Sequence, residues 1–432
     1  MASEAFIWRD WEKGEFPELR SHSRIKLEVL RQYVESYIEI LFGNRFGVRE
    51  VELTFVDGFC GGGMYKDNQP GSPLVLLRAV KTAKAKINCP RKNPLKIAGI
   101  FYFVDKDKRA LDCLRHQIQN SEFRAELDRS IHLVHGCFSE KHQDVMEKSM
   151  RGRRNGPRTI FFLDQCGYSK VDMRIVAQIS KAMNYKAEFI INLAITWMVD
   201  FLNTEGPFRE ICECMGIEDF LNLEKLVQIR KDKPVGWHYI IESQIGPAVW
   251  KASQSPFYSP FYIRPADSRR GYWLLHLAPM VRARTAMADV LWQNSSGTSH
   301  YGNRGLRMHE YNPRNDRSLY LDGFSLSDLN RDKCVQDLGP DIARLIRDED
   351  ISGITVGDLS ERICSDTVAN PAIIKDSLLG LKDAGEIIIA GPSNGTKRCE
   401  MISDKDVIKI TGQRTFGFFP RKSIRKHSAP SK

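Results

Sequence analysis

VELTFVDGFCGGG, residues 51–63, joins an apolar run to a cluster of glycines through a single aspartate. The run reads as a strand covered on both faces, and Asp57-Gly58-Phe59-Cys60-Gly61-Gly62-Gly63 reads as the turn that leaves it. A turn at that strand end must let the backbone approach a ligand closely, which glycine permits. A dinucleotide-binding turn would read G-x-G-x-x-G and meet a pyrophosphate. Here the pattern is D-x-F-x-G-x-G, with a carboxylate where the first glycine would stand. A carboxylate repels a pyrophosphate and pairs with an ammonium. The pattern therefore favours S-adenosylmethionine, whose methionine end carries an ammonium, over NAD. Asp57, Gly58, Phe59, Gly61, Gly62 and Gly63 are the cofactor-binding candidates.

Working outward, further apolar runs recur at 97–105, 130–136, 159–165 and 188–195, separated by helical patterns. Five such runs predict a Rossmann-like doubly wound parallel sheet. RIKLEVLRQYVESYIEILFG, residues 24–43, has apolar residues at helical spacing and places a helix before the sheet. SPFYIRP and GYWLLHLAP, 259–265 and 271–279, read as a late hairpin on one edge. A second unit follows. DIARLIRDE, TVGDLSERIC and NPAIIKDSLLGLKDAG are amphipathic, the last with Asn370 as N-cap, Pro371 in the first turn and Gly385 as a stop. EIIIAGPSNGTKRCEMI reads as strand, turn and strand, which completes a winged helix-turn-helix. The expected organisation is a Rossmann-like domain over 1–326, a winged helix over 335–412 and a basic flexible tail over 413–432.

The second run ends in Phe103-Val104-Asp105-Lys106-Asp107. An acidic residue there accepts hydrogen bonds from the ribose hydroxyls of an adenosine cofactor, so Asp105 is a candidate, with Lys106 beside it. The spacing from the glycines exceeds the usual ~20 residues, because the loop Tyr65–Gly71 and a long helix intervene. Gly136-Cys137-Phe138, after the third run, falls where an adenine would lie. A simple turn reads nearly as well. The fourth run delivers Asp164-Gln165-Cys166-Gly167-Tyr168 to the same edge. Amino-group methyltransferases place an Asp or Asn there to hold the target NH₂ and an aromatic to stack on the base. Asp164 and Tyr168 fit those catalytic roles. Cys166 offers carbon-5 attack on a pyrimidine, although a packed thiol is the commoner role for a cysteine.

Ten cysteines lie scattered, with no CxxC pair, so no zinc site or disulfide framework is read. No stretch approaches the ~20 apolar residues that span a bilayer, and the N-terminus has no apolar signal core, so a cytoplasmic protein with no membrane partner is expected. The net charge is +10. Residues 413–432 hold six basic and no acidic residues, and 335–412 nine basic against fourteen acidic, which leaves +9 on the rest. Basic clusters at Lys81–Lys92, Arg151–Arg158 and Arg264–Arg284 point to nucleic acid as partner, a solvated face being the alternative. The winged helix is acidic, and Asp376 and Asp383 offset Lys375 and Lys382, so protein docking suits it at least as well as DNA.

Taken together, the early helix with Lys26, FVDGFCGGG, Gly71-Ser72-Pro73-Leu74, FVDKD, FLDQCGY and GYWLLHLAP…ADVLWQ resemble the three-Cys-motif partner (TcmP) family over roughly residues 20–300. These are bacterial and phage-associated methyltransferase-like proteins, some similar in ending with a winged helix. The resemblance implies Asp57, Phe59, Gly61, Gly63, Ser72, Asp105 and Asp164 as site-lining residues, S-adenosylmethionine as cofactor and a three-Cys-motif protein as partner. Relatives tend to carry Asp-Pro where this chain has Asp164-Gln165. Three functions stay open: methylation of nucleic acid at an exocyclic amine, a catalytically degenerate binding or regulatory protein, and an enzyme acting on protein or a small molecule.

Overall fold

The computed structural model describes residues 8–43, 49–151, 157–165, 170–200, 205–234, 236–263, 271–294, 298–300, 303–309, 324–349, 353–391 and 402–411. The chain divides into two compact units, Met1–Gly302 with His309–Ser327, and Asn303–Met308 with Asp328–Lys432.

The first unit is built on one mixed sheet. Its strands are β1 (Glu50–Asp57), β2 (Lys96–Asp105), β3 (Ile131–His135), β4 (Arg158–Leu163), β5 (Ala187–Leu193), β6 (Phe257–Ile263), β7 (Tyr272–Ala278), β8 (Thr298–His300) and β9 (Phe324–Ser325). The spatial order is β3-β2-β1-β4-β5-β7-β6-β8-β9. The five strands β3 to β5 are parallel, as the apolar runs predict. The late hairpin enters through its second strand. β7 lies antiparallel to both β5 and β6, and β8 and β9 extend the sheet beyond it.

Helices cover both faces, which is why β4 and β5 are apolar almost throughout. On one face α1 (Ser21–Phe42) packs between α2 (Ser72–Asn88) and α7 (Val281–Gln293). Its Val29, Leu30, Tyr33, Val34 and Ile38 are buried against Phe55, Phe103 and Phe162 of the sheet. On the other face lie α4 (Phe138–Met150), α5 (Met173–Ala182) and α6 (Trp237–Ser253). Between β2 and β3 runs α3 (Lys108–Gln119), started by Asp107, whose carboxylate accepts the Arg109 N–H at 3.0 Å. The ladder fixes which residues share the upper edge. Asp57 pairs with Phe162 and Phe162 with Ile190, so Asp57, Asp164 and Asn192 emerge on the α1 face.

The described residues of the second unit form three α-helices, α8 (Asp328–Asp348), α9 (Val356–Ile363) and α10 (Pro371–Asp383), and a small antiparallel sheet of Ile354–Thr355, Ile387–Ala390 and Val407–Ile410. Leu338, Ile342, Leu359, Leu378, Ile389 and Ile408 fill its core. The turn and return strand that the sequence suggests within 386–402 fall largely on residues outside those described. Ile387–Ala390 pairs with Val407–Ile410, whose alternating burial fits one face on the core, after a turn in which Asp406 accepts the Ser403 N–H at 2.7 Å. Among the described residues no helix is long and apolar enough to cross a membrane.

Asn370 caps α10 by accepting the Ile373 N–H at 3.0 Å, and Gly385 closes it at φ +74°. Loss of such a cap costs about 1 kcal/mol. Asn370→Ala should therefore speed hydrogen exchange of the Ile373 amide about fivefold while leaving β1 amides unchanged; equal protection would show that the cap does not hold this helix end.

Candidate functional site

The site forms where β1 lies between β2 and β4, the point at which the chain reverses its direction of travel across the sheet. Open α/β sheets bind ligands at the carboxyl ends of strands flanking such a point. Asp57, Asp105 and Asp164 all arrive there. The ionised form of Asp57 is disfavoured chiefly by burial, with the charges of both others adding to it.

The glycine loop is tightly committed. The N–H of Gly58 donates to the Phe162 carbonyl at 2.9 Å, that of Phe59 to Asp57 at 3.2 Å, that of Cys60 to the Val104 carbonyl at 3.1 Å and that of Gly61 to Asp105 at 2.8 Å. These donors hold the loop to its neighbouring strands, so they do not form a phosphate cradle. The glycines are needed for packing. A Cβ on Gly62 would stand 2.4 Å from the Trp8 ring, one on Gly63 2.5 Å from Leu114, and one on Gly58 2.6 Å from Leu163. Gly61 and Gly63 also take positive φ, 60° and 75°. Gly71 donates to the Gly63 carbonyl at 2.9 Å, which brings the start of α2 and its Ser72 to the loop.

Each carboxylate meets its charge differently. Asp105 accepts from the Gly61 and Asp107 N–H groups, both at 2.8 Å, while burial holds its pKa above the ordinary carboxylate value. Asp164 is gripped by Lys26 of α1, whose Nζ lies 2.6 and 2.8 Å from its two oxygens. The lysine side chain is 5% exposed and the aspartate 24%. Asp57 is fully buried. Its Oδ1 accepts the Phe59 N–H, its Oδ2 has no partner among the described residues, and only the nearby Ser72 hydroxyl adds support for its charge. Burial pushes its pKa up to about 7.

Of the remaining expected residues, Phe138 is buried in the core at the start of α4, 6.3 Å from the half-buried Phe59. Cys137 caps that helix and is half-buried. Lys106 is exposed, with its carbonyl 3.1 Å from the His135 Nε2. Tyr168 and Cys166 lie outside the described residues. Gln165 is buried, and its side-chain carbonyl accepts the Lys170 N–H at 2.8 Å.

Four side chains have no site role in the sequence reading. Lys26 is one, and His22 stacks on Tyr272 with ring centres 4.5 Å apart, Tyr272 lying 5.7 Å from Lys26 Nζ. The fourth, Trp8, lies on the glycine loop. Lys26 was detectable, since it falls on the buried stripe of α1 with His22, Leu30, Tyr33 and Tyr37. A lysine in such a stripe requires a buried counter-charge.

The central strands β3-β2-β1-β4-β5-β7-β6, with β7 reversed, define a Rossmann-like fold of the S-adenosylmethionine-dependent methyltransferase type. The C-terminal unit is a winged helix-turn-helix, and the family described as a GMT-like wHTH domain matches residues 310–394. No curated protein matches. Among solved structures, the chain is similar to protein LPL1258 from Legionella pneumophila str. Philadelphia 1 (10% identity, 63% of this chain and 94% of that one, TM-score 0.32). It is also similar to precorrin-6y C5,15-methyltransferase from Geobacter metallireducens GS-15 (11%, 56% and 87%, 0.24) and to the plantazolicin methyltransferase BamL, solved with S-adenosylhomocysteine (12%, 64% and 95%, 0.25). The fold assignment rests on strand order, not on these distant likenesses.

Asp57 sets a dependence on pH. In the unfolded chain it titrates near 3.8, and in the folded one near 7. The folded state therefore holds its proton more tightly, and stability is lost as pH rises from about 4 to 7, by about 4 kcal/mol at most. Asp57→Asn removes this ionisation. The variant should melt progressively above the parent from pH 4 to 7 with the gap constant beyond, and a pH-independent gap would show that Asp57 ionises freely.

Proposed function

We propose that this chain is an S-adenosylmethionine-dependent methyltransferase acting on nucleic acid. The observation that carries this reading is the buried Asp57 carboxylate with an unpartnered oxygen at the head of a glycine loop. A buried charge without a partner is costly, and an ammonium supplied by a ligand offsets that cost. S-adenosylmethionine carries that ammonium and, when bound, supplies an electrophilic methyl group. Asp57 and Ser72 would hold its aminoacyl end, Gly61 to Gly63 would line its path, Asp105 would take the ribose hydroxyls and Cys137 with Phe138 would border the adenine. A carboxylate has about four lone-pair sites, so Asp105 keeps acceptors beyond its two loop contacts. Asp164 lies on the acceptor side, with Tyr168 four residues on. The sequence reading assigns Asp164 to an exocyclic amine.

Support for a nucleic-acid substrate comes from the +9 charge of residues 1–334. Locally the charge is less available than the sequence suggests. Lys86 lies 2.6 Å from Glu35, Lys81 lies 3.4 Å from Glu122, and Arg91 donates to the Phe42 carbonyl. Attraction of a polyanion therefore falls to the other basic clusters and the tail. A second reading, a methyltransferase fold retained for binding alone, draws on the closed Lys26–Asp164 pair, which serves as well to fasten α1. Partnership with a three-Cys-motif protein rests on the family resemblance alone.

Calorimetry with S-adenosylhomocysteine tests the cofactor. Asp57→Ala should weaken binding by about 1.5–3 kcal/mol, roughly 10- to 150-fold. Pairing with an ammonium favours ionised Asp57, so the parent should release close to one proton on binding at pH 6 and little at pH 8, with affinity rising about tenfold between them. Undiminished binding by Asp57→Ala would remove the loop from the cofactor site. Gel shifts on pieces of the chain test the polymer: fragment 335–412 should bind RNA and DNA at least tenfold more weakly than the whole chain, and equal affinity would overturn the charge argument.

A further inference from the structure

The geometry points to a hydroxyl, on this reading the ribose 2′-hydroxyl of RNA, as the methyl acceptor, with Lys26 as a catalytic residue that passes the hydroxyl proton to Asp164. The inference rests on the methyltransferase reading above and replaces the amine within it. Both oxygens of Asp164 accept from Lys26 Nζ, so an incoming amine would meet a carboxylate whose charge is already balanced by a cation. The charge that develops matters more. An amine attacking a sulfonium methyl becomes positively charged, and a fixed ammonium beside it opposes that transition state. A hydroxyl attacking the same carbon must instead lose a proton, and a lysine joined to a carboxylate can receive one.

The step balances. The hydroxyl oxygen forms a bond to the methyl carbon of S-adenosylmethionine while the carbon–sulfur bond breaks, and its electron pair stays on sulfur. Lys26 hands one of its protons to Asp164 and takes the hydroxyl proton in exchange, leaving the pair one proton richer for later release to water. The surroundings suit this chemistry. Leu163 pairs with Ile191, so Asp164 and Asn192 are neighbours across the next step of the β4–β5 ladder. Asn192 is 3% exposed, and its Oδ1 has no partner among the described residues. It supplies an acceptor for a second hydroxyl or an N–H of the substrate. Tyr272 and His22 stack beside Lys26 and give a flat wall for a sugar or base. The 2′-hydroxyl is what RNA offers and DNA lacks.

The test uses the full chain, S-adenosylmethionine with a tritiated methyl group, a mixed RNA pool and DNA of the same base composition. Nuclease digestion and mass spectrometry should find the label on ribose, in RNA at least a hundredfold over DNA. Lys26→Met should lose transfer at least a hundredfold while S-adenosylhomocysteine affinity, read by calorimetry, stays within threefold. Lys26→Arg guards against a folding defect: it keeps the charge pair and should melt near the parent, yet it cannot release a proton and should be equally inactive. Label on a base nitrogen or carbon, comparable labelling of DNA, no transfer to RNA by a parent that binds S-adenosylhomocysteine, or Lys26→Arg activity within a few-fold of parent would each overturn the hydroxyl relay while leaving the methyltransferase reading in place. Failure of the parent to bind S-adenosylhomocysteine would remove that reading, and the relay with it.

Discussion

Three carboxylates at one end of a sheet are an electrostatic problem before they are a site. For Asp57, burial raises the cost of ionisation and the charges of Asp164 and Asp105 add to it. The protein answers with three different devices. Asp105 is held by two backbone N–H groups, and in accepting them it fixes the glycine loop. Asp164 has a lysine. Asp57 has one backbone N–H and the nearby Ser72 hydroxyl, and it lies deepest, so the unresolved part of the cost collects there. A ligand that brings a cation to Asp57 relieves what the fold leaves standing. The same arrangement disfavours a pyrophosphate, which would add negative charge to the edge and find the N–H groups of Gly58, Phe59, Cys60 and Gly61 already spent.

The lysine makes α1 part of the site as well as part of the core. Lys26 and Asp164 are 138 residues apart in sequence, and their contact depends on where α1 is seated along the sheet. That seating is set further down the same helix. Tyr33 donates to Glu188 of β5, and His276 of β7 lies 3.7 Å from the same carboxylate, with its ring 4.9 Å from that of Tyr33. Glu188 is almost fully buried, so this polar cluster defines a register that a slipped helix would leave unpaired. One rotation of α1 would expose Leu30 and Val34 and withdraw Lys26 together. The position of Lys26 at Asp164 is thus secured by burial elsewhere on the helix.

Much of this was legible in the chain, and the division follows the range of the interactions. Strand ends are local: an apolar run that stops at Asp57, Asp105 or Asp164 announces both the strand and the edge to which its last carboxylate is delivered. Caps are local too, as Asp107 and Asn370 show. What escaped was non-local. Glycines 58, 62 and 63 read as room for close approach, and the chain alone does not show that Leu163, Trp8 and Leu114 stand where their Cβ atoms would go. The lysines of α2 read as a free patch, whereas Glu35 and Glu122 come from elsewhere to meet them. Ile387–Ala390 pairs with Val407–Ile410, which lies past the end of the run that the sequence marks as the wing. Lys26 sits between the two cases, since its place in the buried stripe was visible and its partner was not.

The winged helix shows why charge counted along a sequence differs from charge offered to a partner. In α10 the adjacent Lys375 and Asp376 look self-compensating, yet neither pairs with the other. Lys375 lies 2.9 Å from Asp404, and Asp376 is bound by Arg331 of α8. Each pair ties α10 to a different element, so the charges brace the domain. A helix entering a DNA groove must spend its cations on phosphates and base edges. To use Lys375 in that way, α10 would have to give up its link to Asp404 and leave that acidic residue facing the phosphates. An α10 arranged like this suits a partner that does not demand cations.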